Sequence, residues 1–263
     1  MATLGKSTYK RYPMAGRIFA ELVGTFMLVF AVTMNSRELS SKTTNVYAAF
    51  SIAIALWLAL VWGGPISGGH YNPAVTLTQL LVGGIDLAGA IVYVVTQFAG
   101  GFLAASVSYG ILGSSLAPVE ANSDYSTSVA WTCEFICTSI LTFTVNIISD
   151  PNFNRDGEFM FKVAAVAATV FFGATTVGPI SGGAFNPAVG TCGNVMGFVA
   201  QDDHSILNSL GIYLTAPFVG ACFAAFLYLF VFKPNLEIKQ EETQSMDKVT
   251  ADYDAKEQLL HNQ

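Results

Sequence analysis

Six apolar runs, at about 15–34, 46–64, 88–109, 128–149, 161–178 and 208–232, are separated by short polar or glycine-rich segments. Each comes close to the roughly 20 apolar residues that a helix needs to cross a bilayer. None alternates apolar and polar positions, which excludes the strands of a membrane barrel. The pattern predicts an all-α membrane protein with six transmembrane helices. Two carboxylates interrupt it at membrane depth: Glu21 in AELVGTF of the first run and Glu134 in CEFICTS of the fourth.

The pattern also repeats. ISGGHYNPAV at 66–75 returns as ISGGAFNPAV at 180–189, so Asn186 lies 114 positions after Asn72, and Glu134 lies 113 after Glu21. Each half holds three spans, an odd number, so the second copy must cross the membrane in the opposite sense. That is an inverted 3+3 repeat with a pseudo-two-fold axis in the membrane plane. The channel domain is placed at 15–233, with repeats at about 15–110 and 128–233. A short N-terminus precedes it (1–14) and an acidic tail follows (234–263).

Within each repeated loop the residue types dictate local structure. The paired glycines, Gly68-Gly69 and Gly182-Gly183, permit positive φ. Asparagine is a strong helix N-cap and proline suits the first helical position. Asn72-Pro73-Ala74 and Asn186-Pro187-Ala188 therefore predict helices beginning at Pro73 and Pro187, in segments too short to cross the membrane. Two re-entrant half-helices follow, their irregular backbone tolerated because it lines a cavity. Their positive ends would meet at the midplane. The carbonyls of Gly68, Gly69, His70, Gly182 and Ala184 would offer acceptors along a path for water or small neutral solutes. A cation would meet positive potential from both sides.

An intramembrane carboxylate is by default a functional group. Proton coupling at Glu21 and Glu134 would make an active transporter. Their matched places in the two repeats favour support of the re-entrant loops, each accepting backbone N–H groups from its own half.

Composition agrees with the membrane placement. Charged residues are 11% of the chain, hydrophobic ones 52%, and mean hydropathy is +0.51, against roughly 25% charged in soluble domains. With six spans, ten Lys and Arg residues fall on the side of the two termini, and only Arg37 and Lys42 on the other. The positive-inside rule then puts both termini in the cytosol. No cleavable leader is expected, because Lys6, Lys10, Arg11 and Arg17 lead directly into a full-length span. Plasma membrane and an intracellular vacuole are both compatible. The four cysteines lie in or beside apolar runs and read as small buried hydrophobes. No metal spacing, phosphate loop, catalytic triad or nucleic-acid patch is present, so no cofactor, enzyme activity or nucleic-acid partner is expected.

Twin Asn-Pro-Ala loops in step with twin intramembrane glutamates, with Gln97 in YVVTQFAG and APFVGA at 216–221, make the chain resemble the aquaporins, the major intrinsic proteins, over about 12–233. The resemblance implies a homotetramer in the lipid bilayer, each protomer with its own pore for water and small neutral solutes. It also implies a second constriction toward the outer side. Carried over without gaps, its four positions are Ile52, Ala174, Gly183 and Val189, and a shift within a span would bring in Phe50 or Ala53 instead. Water-selective members carry an aromatic, a histidine and an arginine there; this chain has none of them. Losing the arginine removes a fixed charge and several donors. The ring should be wide and apolar, admitting urea, ammonia, hydrogen peroxide or glycerol, although an apolar ring can also dewet. Other markers split: Gly190 and Thr191 stand where glycerol channels usually have Asp, and Tyr213-Leu214 mixes both types.

Three segments are candidates for gating: the connection at 150–162, the outer segment at 197–208 with Asp202, Asp203 and His204, which is otherwise a surface loop, and the acidic tail, whose Thr243, Ser245 and Thr250 are possible phosphorylation sites. The alternative function is a low-conductance structural or junctional membrane protein with the same fold. The short polar segments at 35–45 and 110–127 argue against it.

Overall fold

The computed structural model describes residues 12–39, 46–150 and 159–236, with only the helical backbone given for 36–39. The N-terminal segment, positions 151–158 of the candidate gating connection, and the tail with Thr243, Ser245 and Thr250 lie outside the described residues.

Eight α-helices make up the described chain: α1 Met14–Leu39, α2 Val46–Ser67, α3 Pro73–Leu81, α4 Leu87–Leu112, α5 Thr127–Ser149, α6 Phe159–Ser181, α7 Pro187–Gln201 and α8 Leu210–Leu227. A π turn, Tyr228–Phe232, continues α8. Among the described residues there is no strand. Six helical segments are long and apolar enough to span a membrane. They correspond to the six apolar runs, mostly with one to three more residues at each end. The two others are short. α3 has 9 residues, about 14 Å at ~1.5 Å per residue, under half of the roughly 30 Å hydrocarbon core.

Helix ends follow local chemistry. Asp86 accepts from the Gly89 N–H at 2.7 Å to start α4, and Gly113, at φ 56°, ends it. The outward faces are large and apolar: Phe19, Tyr47 and Phe230 are 68%, 88% and 70% exposed. Between helices the contacts are small. A Cβ on Gly100 would lie 2.5 Å from the Leu22 carbonyl oxygen, and one on Gly220 would lie 2.7 Å from that of Phe135. Glycine thus lets α4 close on α1 and α8 close on α5, as expected where lipid replaces water outside and packing must hold the helices together.

α1, α2 and α4 pack as one unit and α5, α6 and α8 as its counterpart. Each half-helix crosses over: α3 packs on α8, and α7 on α4. α7 has 15 residues against 9 in α3. Those extra residues move the repeat offset from 114 in the loops to 120 in the third spans, where Tyr213 takes the place of Tyr93.

The α4–α5 connection lies on the second loop. Asn122 donates its backbone and side-chain N–H groups to the Ile180 and Pro179 carbonyls at 3.0 and 3.1 Å. Val119 N–H donates to Asn194 Oδ1 at 2.8 Å. In this connection, burial holds the Glu120 carboxyl above its ordinary value of 4.5, and Asp203 adds to the rise. The folded state therefore binds this proton more tightly than the unfolded chain, so ionisation costs stability as pH rises past the ordinary value. Glu120→Gln is expected to raise the thermal midpoint at neutral pH and to lose that advantage below pH 4.5, read by unfolding in detergent across that range.

Candidate functional site

The two repeated loops meet at the centre of the molecule. In each, three residues hold positive φ: Gly68, Gly69 and Tyr71 at 92°, 66° and 49°, and Gly182, Gly183 and Phe185 at 87°, 68° and 49°. Two of these six are not glycine, a conformation that an aromatic residue keeps only when its surroundings enforce it. The carboxylates supply that enforcement. Glu21 Oε1 accepts from Ser67 Oγ at 2.7 Å and the His70 N–H at 2.9 Å, and Oε2 from the Tyr71 N–H at 2.9 Å. Glu134 does the same for Ser181 Oγ at 2.7 Å, the Ala184 N–H at 3.0 Å and the Phe185 N–H at 2.6 Å. Both carboxylates are fully buried.

A second clamp acts from the third spans. The Tyr93 hydroxyl donates to the Ser67 carbonyl at 2.8 Å, and that of Tyr213 to the Ser181 carbonyl at 2.6 Å. Removing either hydroxyl leaves a buried carbonyl without its partner, at a cost of about 1–3 kcal/mol. Tyr93→Phe and Tyr213→Phe are each expected to lower the thermal midpoint while leaving the protein folded. An unchanged midpoint in both would show that the hydroxyls do not hold the loops.

Asn72 and Asn186 cap α3 and α7. Each side-chain oxygen accepts from the N–H two residues on, at 2.8 and 2.9 Å. Each side-chain amide donates to the opposite loop: Asn72 Nδ2 to the Phe185 carbonyl at 2.8 Å, Asn186 Nδ2 to the Tyr71 carbonyl at 2.9 Å. An amide nitrogen carries two hydrogens, so one bond locks the loops together and the second hydrogen is available to the lumen. Only the first loop has a further polar network. Gln97 Nε2 donates to Glu21 Oε2 and Thr76 Oγ1 at 2.8 and 2.9 Å, and His70 Nδ1 lies 3.1 Å from Thr76 Oγ1. The corresponding places in the second half are Pro217, Gly190 and Ala184, which cannot repeat it.

A cavity, hereafter the lumen, lies between the half-helices, with about 560 Å³ of empty space including its open mouth. Asn72, Asn186, Gly69, His70 and Ala184 line it, as do all four positions of the expected ring, Ile52, Ala174, Gly183 and Val189. Phe50, the alternative to Ile52, instead points outward and packs edge-on against Phe171 at 6.2 Å. Ala53 is buried outside the lining.

Gly68 and Gly182, expected to offer carbonyls to the path, are not among the lining residues. Their N–H groups still bond back to the Gly64 and Gly178 carbonyls at 2.9 Å. They end α2 and α6 and turn the chain, so the lining begins one residue later. Sequence reasoning missed the aliphatic walls: Leu28 and Val32 of α1, Leu56 of α2, Leu141 and Val145 of α5, Val166 and Val170 of α6, and Val75 of α3. The repeat itself could have found them. Apart from Ala174 and Phe185, every lining residue pairs with another one 113 or 114 positions away, such as Leu28 with Leu141 and Val75 with Val189.

The family profile described as Major intrinsic protein matches residues 8–228. A glycerol uptake facilitator protein-like 6 of Lactiplantibacillus plantarum is 32% identical over 212 residues, 80% of this chain and 95% of that one. The probable aquaporin NIP7-1 of Arabidopsis thaliana is 30% identical over 219 residues, covering 80% and 74%. Among solved structures, the aquaglyceroporin from Plasmodium falciparum superposes with a TM-score of 0.76 at 21% identity, over 86% of this chain and 100% of that one. The chain belongs to the major intrinsic protein family and is a multi-pass membrane channel protein with the aquaporin fold.

Proposed function

We propose that the chain is a passive channel for water and small uncharged solutes of the urea, glycerol, ammonia and hydrogen peroxide class, and that it excludes ions and protons where the two Asn-Pro-Ala loops meet. The observation that carries this function is the lumen wall. It is aliphatic apart from the re-entrant loops and the Asn72 and Asn186 side chains. A neutral solute finds acceptors and donors only along that line of polar groups. An ion would lose its hydration against aliphatic walls and meet the positive ends of both half-helices. No arginine, histidine side chain or aromatic ring stands at Ile52, Ala174, Gly183 and Val189, which favours solutes larger than water. The relative named a glycerol uptake facilitator supports the same class.

By the distribution of Lys and Arg, both termini face the cytosol. The assembly is proposed to be a homotetramer of independent lumens, with the acidic tail on the cytosolic side as a regulatory segment.

Stopped-flow light scattering on proteoliposomes tests the proposal. Water efflux against an impermeant osmolyte, followed by re-swelling in urea or glycerol gradients, is the expected result. Water flux with every larger solute excluded would refute passage of the larger solutes, and no flux of any kind would refute the channel.

A further inference from the structure

The expected outer ring has a mirror image at the other end of the lumen. Carried through the repeat, Ile52, Ala174, Gly183 and Val189 correspond to Val166, Leu60, Gly69 and Val75. Three of these four line the lumen. The fourth breaks the symmetry: the outer ring has Ala174 in the lining, whereas its counterpart Leu60 is buried beyond it.

Leu60 occupies the space over its glycine. A Cβ on Gly69 would lie only 2.6 Å from Leu60 Cδ2. At Gly183 the nearest atoms to the same position are the Gly178 and Ala174 Cα atoms at 3.2 and 3.6 Å and the Phe185 ring at 3.5 Å. An isobutyl group thus stands at the inner end where the outer end has a methyl. Val166 is smaller than Ile52 by one carbon, but Leu60 exceeds Ala174 by three, so the inner ring carries the greater bulk.

We propose that Val166, Gly69 and Val75, with Leu60 packed against Gly69, form a second, tighter ring at the inner end of the lumen, and that this ring sets the upper size of the transported solute. This presupposes the channel function proposed above. The ring's side chains are purely aliphatic and replace none of the waters a polyol must shed, so they penalise a bulky polar solute more than water itself. The outer ring then admits solutes that the inner one rejects.

Permeabilities of glycerol and water, measured on the same proteoliposomes, test the assignment through their ratio. Leu60→Ala is expected to raise the glycerol-to-water ratio roughly tenfold, the scale on which apolar pockets discriminate by a few carbons. Val166→Ala should raise it in the same direction, Ala174→Gly should raise it by less than Leu60→Ala does, and Phe50→Leu, at a side chain that faces outward, should leave it unchanged. If Ala174→Gly raises the ratio and Leu60→Ala does not, or if both raise it equally, the inner ring is not the size filter. Leu60→Val stands in should the alanine variant fold poorly, as judged by gel filtration and thermal unfolding. Wild-type water flux separately tests the channel function.

Discussion

Replacing Val189 with arginine is expected to cut glycerol and urea entry at least about tenfold while water continues to pass, because a fixed cation with five donors would fill the apolar side of the ring. Val189 is 2% exposed and lines the lumen three residues beyond Asn186, so a side chain there cannot avoid the path. Its neighbours around the ring, Ile52, Ala174 and Gly183, offer no carboxylate to neutralise the new charge. The guanidinium would narrow the passage and add a second barrier to cations. Solute uptake by stopped flow, normalised to folded protein, checks this. Unchanged glycerol entry in a folded Val189→Arg protein would mean that the ring does not lie on the solute path.

The second large effect concerns the loop supports. Glu134→Ala is expected to abolish flux and to prevent recovery of monodisperse protein. It strips acceptors from Ser181 Oγ and the Ala184 and Phe185 N–H groups, all inside a buried pocket that water does not reach. The Ser181 hydroxyl can still donate to the Val177 carbonyl at 3.3 Å, but each of the two backbone N–H groups left unsatisfied costs about 1–3 kcal/mol, together a large share of the roughly 5–15 kcal/mol that holds a typical folded domain. Glu21→Ala should be at least as damaging, since Gln97 loses an acceptor as well. Glu134→Gln keeps the shape but turns one acceptor into a donor facing donors, and should fall between wild type and alanine. The comparison uses gel filtration for folding and stopped flow for conductance. A proton-coupled role would separate the two readouts: a folded glutamine variant that conducts passively but no longer responds to a pH gradient. Loop support predicts that folding and flux fall together.

Much of the architecture was legible because it rests on strong local signals. Long apolar runs leave a membrane helix as the economical solution. Asn followed by Pro marks a helix start so clearly that α3 and α7 begin at Pro73 and Pro187. The register of Glu21 and Glu134, one residue from that of the loops, pointed to a shared structural task before any contact was known. What remained hidden depends on the third dimension. A span in lipid is apolar on its outer face and here apolar on its lumen face too, so periodicity gave no contrast by which Leu141 or Val166 could be told from a lipid-facing residue. Positive φ at Tyr71 and Phe185 is foreign to their residue types and exists because two carboxylates and two tyrosines hold the loops. The bonds from Asn72 to Phe185 and from Asn186 to Tyr71 join residues more than 100 positions apart, and only the meeting of the half-helices creates them. The ends of α2 and α6 were likewise not legible: their hydrogen bonding runs on into Gly68 and Gly182, the first glycine of each pair.

The central claim is that neutral solutes cross this lumen and charge does not. Proteoliposomes with an entrapped pH dye, examined for glycerol uptake by light scattering and for proton leak under an imposed pH gradient, test both halves on one preparation. Glycerol entry well above that of protein-free vesicles, with proton leak no greater than theirs, is the predicted result. Exclusion of glycerol, or a proton leak that grows with the amount of protein, would contradict it.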